Sequence, residues 1–306
     1  MDASNFSSCN AESPSSAWGS IEPQLVHFKT CSIRVVKGMR VFRSCNLCGS
    51  ASPKLLWKRN GYAIVACHQC GLQYVGQDPQ DIDFAALYSE AYYTGGSAQV
   101  FANYVGKELV RRASARRRLR SMRRRTSRAG RLLDVGCAAG FFLVEARRYF
   151  EPQGVEISEF SSRVARERFG LDVFTGTLQD AKFAANSFDV ITMWDVVEHL
   201  PDPKAVLAEA SRVLRSGGSL VLTTGDVGSR YARRAGPSWH LLEPPWHLYF
   251  FSRATMSAMG EAAGLRFQAC ASTGVASDLR VLRSLPGRLV SNLLGLGDIM
   301  EMTLTK

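Results

Sequence analysis

No apolar run in this sequence approaches the roughly 20 residues that a membrane-spanning helix needs. Met1 to Ser20 holds no Lys or Arg and no apolar block, so it does not read as a secretory signal. The expected location is therefore the cytoplasm. Acidic residues are missing altogether between Arg111 and Arg131, where 11 arginines stand. The whole chain carries a formal charge of +11, so the basic balance belongs to that one segment and not to the fold. A disulfide framework is also lacking. Of 8 cysteines, Cys9, Cys31, Cys137 and Cys270 are scattered, and the rest form two Cys-x-x-Cys pairs, a spacing that favours metal over disulfides in a reducing compartment. What is present is 306 residues at 46% hydrophobic, enough for one full core and a small extra module.

The pattern divides the chain into four parts. Residues 1–38 are Ser-rich and read as disordered, and Met39 offers an alternative translation start beside Met1. Residues 39–77 hold the cysteine pairs, with a hairpin from Leu55 to Val65 turning at Asn60-Gly61 and a short strand at Leu72–Val75. Residues 78–130 form an Arg-rich helical linker or lid. Its aromatics are Tyr88, Tyr92, Tyr93, Phe101 and Tyr104, and its apolar positions Leu109, Val110, Ala113, Leu119 and Met122 suit an amphipathic helix. Residues 131–306 alternate strand and helix. Strands are expected at Leu132–Val135, Pro152–Glu156, Leu171–Phe174, Phe188–Met193, Ser219–Thr224, Leu265–Cys270 and Asp298–Leu304. Helices are expected at Phe141–Phe150, Ser161–Phe169, Asp202–Leu214 and Thr255–Ala263, with a basic amphipathic stretch at Leu279–Leu294. Such alternation calls for an α/β fold, a parallel sheet covered on both faces.

The stretch Asp134-Val-Gly136-Cys-Ala-Ala-Gly140 ends a strand with an acid and opens a helix with two glycines. Glycines there let the backbone turn sharply and approach a ligand. Glu156 closes the next strand, 22 residues on, where a carboxylate suits both hydroxyls of a ribose. A dinucleotide site would need Gly-x-Gly-x-x-Gly, but Ala138 and Phe141 occupy its second and third glycine positions. An adenosyl-methionine site carries no phosphate and tolerates this loop, with Asp134 serving the polar end of the ligand.

The knuckles Cys45/Cys48 and Cys67/Cys70 lie 18 residues apart, and Gly49 and Gly71 follow them. They supply four thiolates for a tetrahedral zinc. A closed four-cysteine site is structural. His68, between ligands, reads as exposed and not coordinating.

Four segments then appear in order: Asp134–Gly140, Val155–Ser158, Phe188–Pro203 and Val213–Leu220. Together they resemble the successive motifs of class I S-adenosylmethionine-dependent methyltransferases over about residues 130–306. With the ribbon and Pro245-Trp-His247-Leu-Tyr-Phe-Phe-Ser252, the chain resembles a bacterial group of ribbon-bearing members, many linked to cell-surface sugars or secondary metabolism. The resemblance implies a Rossmann-like seven-stranded sheet whose last segment is the one antiparallel strand. It also implies that Asp134, Gly136 and Gly140 line the methionine and ribose, with Glu156 on the ribose hydroxyls and Cys137, Ile157 and Trp194 beside them. Where the family often has an acid near the adenine, Thr177-Leu178-Gln179 stands here, which turns the adenine contacts to backbone groups and Leu178.

Methyl transfer from a sulfonium is an in-line displacement, so a protein must position the acceptor and, for a hydroxyl, remove a proton. His247 lies among aromatics and is a candidate base. Its other reading is a packed histidine that fixes the loop. Asp195, Glu198 and His199, spaced i, i+3, i+4, would share one face if helical. A similar acid-x-x-Glu-His set binds a divalent metal in some ubiquinone-pathway and small-RNA methyltransferases. The plainer reading is a helix start whose acids suit the dipole. Asp195 and His199 therefore join His247 as catalytic candidates, and Asp226, Trp239 and His240 are candidates to line the acceptor pocket.

Three functions follow. The first is O- or N-methylation of a small-molecule or sugar-containing acceptor. The second is RNA or tRNA methylation, with the ribbon and arginines holding nucleic acid. The third is a non-catalytic scaffold that retains the cofactor site. Acceptor and oligomeric state are not legible in the sequence.

Overall fold

A computed structural model describes residues 35–36, 39–40, 42–79, 105–126, 129–273 and 297–306. The readings made for residues 1–34, for the aromatics at 88–104 and for the basic stretch at 279–294 lie outside the described residues.

Val35–Val36 (β1) and Met39–Arg40 (β2) pair antiparallel. The cysteine region is a sheet of Pro53–Arg59 (β3), Tyr62–Cys67 (β4) and Gln73–Val75 (β5). The hairpin turns at Asn60 and Gly61, both at positive φ (50° and 79°), as a tight two-residue loop demands.

The larger sheet has seven strands. They are Gly130–Val135 (β6), Phe150–Glu156 (β7), Asp172–Thr175 (β8), Phe188–Trp194 (β9), Leu214–Gly225 (β10), Arg266–Thr273 (β12) and Ile299–Thr305 (β13). Their order is β12-β13-β10-β9-β6-β7-β8. β13 runs antiparallel to both neighbours, and the pairings among β6 to β10 are parallel. The expected single reversed strand is thus the last one. β9 is buried along its whole length, which is why it is mostly apolar, with Asp189 and Thr192 as its polar positions.

The helices that cover the sheet are punctuated by their caps. Glu159–Phe169 (α3) starts at Ser158, which accepts from the Ser161 amide, and stops at left-handed Gly170. Pro203–Val213 (α4) starts at Asp202, with proline in its first turn. Arg253–Ala262 (α6) carries a capping box of Ser252 and Thr255. The helix Phe141–Ala146 (α2) is shorter than expected, and Arg230–Ala235 (α5) was not expected at all.

The Arg-rich segment forms Glu108–Arg123 (α1), as expected, but its buried stripe is different. Ala115, Leu119 and Met122 face inward, while Leu109 and Val110 are exposed at 84% and 68%. Positions 115, 119 and 122 repeat at i, i+4, i+7, the true helical face.

One architectural element was not legible at all. Tyr249–Phe250 (β11) pairs antiparallel with β5, so the ribbon sheet takes its edge strand from residues far along the chain. Cys45, Leu47, Ile64, Leu72 and Tyr74 share one buried cluster with Leu248, Tyr249, Phe251 and Leu207. The ribbon and the large sheet are therefore packed on a common core.

Candidate active site

The cofactor corner is built where β6 and β7 end side by side. Asp134 sits opposite Gly154 and Thr192 in the sheet register. It is almost fully buried and accepts a 2.6 Å hydrogen bond from Thr192 Oγ1. Burial raises its carboxyl to about 7, against the Thr192 bond and the positive field of Arg118.

Glu156 accepts from the Ala138 amide at 2.8 Å and from the Ser158 amide at 2.9 Å, so it joins the glycine loop to the turn after β7. Gly140 opens α2 at φ +76°, and a Cβ there would stand 2.3 Å from Leu171 Cδ1. Gly136, at φ +72°, would bring a Cβ to 2.6 Å from Val196 Cγ2. Both positions demand glycine for conformation and for space.

The other expected cofactor neighbours fall in different settings. Trp194 packs edge-on against Phe142 at 5.1 Å and lies under the Arg118 guanidinium at 5.2 Å. Ile157 is 49% exposed beside Glu156. Cys137 turns its thiol into the second core cluster, and its amide is spent on the Val155 carbonyl. Leu178 is likewise packed into the core and does not stand open.

Beyond Trp194 the chain turns sharply. Asp195 adopts φ +58°, and only Val197–His199 form a single 3-10 turn. The shared helical face expected for Asp195, Glu198 and His199 is therefore corrected. Asp195 points to Arg118 of α1, with which it makes a very short ion pair, and accepts from Thr223 Oγ1 at 2.7 Å. Burial works against its charge, but Arg118 and the Thr223 bond hold its carboxyl below the usual range.

The partner of Glu198 and His199 is instead His247. The two imidazoles meet edge to face with centroids 4.7 Å apart. Ligand atoms of Glu198, His199 and His247 lie within 4.8 Å of one another. His199 Nδ1 faces the Trp246 carbonyl at 2.7 Å, and His247 Nδ1 faces the Leu241 carbonyl at 2.7 Å. A carbonyl only accepts, so each Nδ1 carries the proton and each Nε2 holds a lone pair. Burial lowers the pKa of both rings, which keeps them neutral near pH 7. Glu198 is buried, its Oε2 has no hydrogen-bond partner, and burial lifts its carboxyl to about 7. Two neutral imidazoles and an unsatisfied carboxylate oxygen are a donor set that fits a divalent cation.

The four knuckle thiols also converge. Cys45 and Cys70 sulfurs are 3.5 Å apart, as are Cys48 and Cys67, and all four lie within 4.8 Å of one another. Four sulfurs on a tetrahedral zinc would stand about 3.8 Å apart, given Zn–S bonds of about 2.3 Å. The set fits that ion.

Residues 106–269, more than half the chain, match the family model for a methyltransferase domain. The chain belongs to the class I S-adenosylmethionine-dependent methyltransferase family. It is 35% identical over 158 residues to a ubiquinone biosynthesis O-methyltransferase of Hahella chejuensis, a match over 45% of this chain and 66% of that one. The chain thus spans just under two thirds of that relative. A ubiquinone biosynthesis O-methyltransferase of Thiobacillus denitrificans is 31% identical over 169 residues, covering 48% of this chain and 70% of the other. An S-adenosylmethionine-dependent methyltransferase structure from Thermotoga maritima aligns over 67% of this chain and 95% of its own, with TM-score 0.50 and 24% identity, which speaks for the fold.

In this chain, Asp134, Glu156, Gly136 and Gly140 stand together at the carboxyl ends of the strands, where ligands bind in such sheets. The pairing of His247 with His199 and Glu198 crosses some fifty positions of sequence and left no spacing signal. Arg118 was likewise missed as a site residue, hidden in a run of identical residues. Asp226, Trp239 and His240 do cluster, but with Asp298: Trp239 Nε1 donates to Asp298 Oδ2 at 2.9 Å, and the Asp226 amide donates to the Asp298 carbonyl at 2.7 Å. Among the described residues, no helix is long and apolar enough to cross a membrane.

Proposed function

We propose that this protein transfers the methyl group of S-adenosylmethionine to a hydroxyl of a small-molecule or sugar-containing acceptor. The observation that carries the reading is the His199/His247 pair, two imidazoles in edge-to-face contact whose Nδ1 atoms each face a backbone carbonyl. The curated relatives are named as O-methyltransferases, which favours oxygen over nitrogen as the accepting atom.

The cofactor supplies an electrophilic methyl on a sulfonium. Asp134 would face its cationic end, and Glu156 would accept from its ribose hydroxyls. When bound, the cofactor would offer its methyl carbon to the acceptor oxygen with sulfur as the leaving group, and an imidazole Nε2 would take the hydroxyl proton. His247 is the proposed base, and His199 and Glu198 orient the oxygen. If a divalent cation were held by Glu198, His199 and His247 instead, the His247 lone pair would be spent on the metal, and the metal would lower the pKa of a bound hydroxyl in place of the base. A zinc held by Cys45, Cys48, Cys67 and Cys70 would be structural.

The nucleic-acid alternative loses ground because many arginines are spent inside the protein. Arg112 and Arg116 hold Glu145, Arg118 holds Asp195, Arg125 holds Glu301, and Arg123 lies 3.6 Å over the Tyr149 ring.

The test is calorimetric titration of S-adenosylmethionine into the wild type and an Asp134→Ala, Glu156→Ala double variant. Labelled-methyl transfer to a panel of hydroxylated small molecules, sugar-containing ones included, follows. Saturable binding lost in the double variant, with label on a hydroxyl, supports the reading. A folded, zinc-loaded wild type that binds no cofactor sinks it.

A further inference from the structure

The cysteine ribbon touches the histidine pair's own chain segments at three separate places. The first is the knuckle. Asn46, between Cys45 and Cys48, donates Nδ2 to Asp202 Oδ1 at 2.8 Å and accepts from the Lys204 amide at 3.1 Å. Lys204 Nζ donates back to the Leu47 carbonyl at 3.4 Å. These bonds hold the start of α4, only a few residues past His199.

The second place is the sheet seam. The Val75 amide donates to the Leu248 carbonyl at 2.8 Å, and the Leu248 amide donates to the Glu198 carbonyl at 2.8 Å. The residue after His247 is therefore a two-way link between the ribbon's last strand and the backbone of the Glu198-His199 turn. Arg43 locks this seam. Its Nε donates to the Val75 carbonyl at 2.7 Å, another nitrogen donates to Tyr249 Oη at 2.9 Å, and its guanidinium lies 4.7 Å over the Tyr249 ring. Tyr249 Oη donates in turn to the Pro201 carbonyl at 3.0 Å.

The third place is the hairpin tip. Asn60 Nδ2 donates to the Pro244 carbonyl at 3.1 Å, and Arg59 donates to the Pro237 carbonyl at 2.7 Å. This contact holds the loop just before His247.

We propose that the ribbon is a clamp that positions the His199/His247 pair, with Asn46 setting the His199 side and Asn60 the His247 side. The inference rests on the reading of that pair as the acceptor site. A freestanding acceptor-binding module would need none of these bonds. Here the knuckle, the last strand and the hairpin tip each hold a chain segment that flanks one of the two imidazoles, so the ordered ribbon sets the distance between the rings. Asn46 and Asn60 are positioning residues, since neither touches the reacting atoms.

The experiment uses the full-length, zinc-loaded protein, and its first readout is not activity. Imidazole nitrogen spectra, assigned with His199→Gln and His247→Gln, report the tautomer of each ring, and amide exchange reports the Leu248 link. Asn46→Ala keeps all four cysteines, and Asn60→Gly keeps a residue suited to the positive-φ turn. The expected result is zinc content unchanged in both. Asn46→Ala shifts the His199 signals, Asn60→Gly shifts the His247 signals, and the Leu248 amide exchanges about five to ten times faster in each. Amides of β6 and the cofactor affinity stay as in wild type. Unmoved ring signals and unchanged Leu248 protection in both variants would overturn the clamp. If the rings move but acceptor KM and kcat do not, the clamp stands and the catalytic reading of the pair falls.

Discussion

The acid-and-glycine corner and the histidine pair are built in opposite ways. Asp134, Gly136, Gly140 and Glu156 come from one β-α-β unit, and their geometry follows from local rules. An acid ends a strand, left-handed glycines make the turn, and the next strand pairs in register. Glu198, His199 and His247 come from two distant segments, and the ribbon, from a third, holds them in place. A site made within one unit tolerates change elsewhere in the protein. A site made at a meeting of three segments depends on each of them.

The largest break in that comparison is His247→Ala. It should lower kcat by about 10²–10⁴-fold, the usual worth of a positioned base, and leave cofactor affinity within about twofold. Steady-state kinetics and calorimetry on one preparation check both halves. An active His247→Ala beside an inactive His199→Ala would transfer the base role to His199.

Gly140→Val attacks the other region. It places a β-branched residue at φ +76° with its Cβ 2.3 Å from Leu171 Cδ1. Denaturant titration should show a loss of about 3 kcal/mol or more, with cofactor binding lost alongside. Gly71→Ala has a similar φ, +76°, but open space around it, and should cost only about 1 kcal/mol.

A pH series sharpens the contrast further. Asp134 is held near 7 by burial, and the cofactor's ammonium and sulfonium favour its ionised form. Deprotonation therefore strengthens binding. Affinity should rise by up to about tenfold per unit as pH climbs toward 7 and level off above it. Asp134→Asn should flatten this profile. A wild-type affinity that is constant from pH 5.5 to 8 would remove Asp134 from contact with the cofactor's charge.

The smallest effect belongs to the solvent side of α1. Arg120 is exposed there and has no assigned role in either region. Arg120→Glu should change methyl transfer less than about twofold and stability by no more than about 0.5 kcal/mol. A large loss of activity on an RNA acceptor alone would revive the nucleic-acid alternative.

Much of this was legible beforehand. The order of strands and helices, the Asn60-Gly61 turn, the acid and glycines of the cofactor loop and the two knuckles all carry short-range signals. Each depends on residues within a turn or a strand of one another. The Arg-rich helix α1 was legible as a helix but not by face, because exposed Leu109 and Val110 look as apolar as buried Leu119 and Met122. The Asp195, Glu198 and His199 spacing suggested one helical face. A left-handed Asp195 and a single 3-10 turn split it, since Arg118 and Thr223 draw the carboxylate away.

Sequence alone determined that this chain forms a mostly parallel sheet with an acid-and-glycine turn after β6 and four converging cysteines, because periodicity, turn chemistry and ligand spacing are local. Only the tertiary structure decided which residues meet His199. It seated His247 there, and it laid residues 249–250 on the ribbon sheet. Those contacts join segments far apart in the chain, and they exist because burying Leu248, Tyr249 and Phe251 in a core shared with the ribbon leaves their backbone one strand edge to pair with.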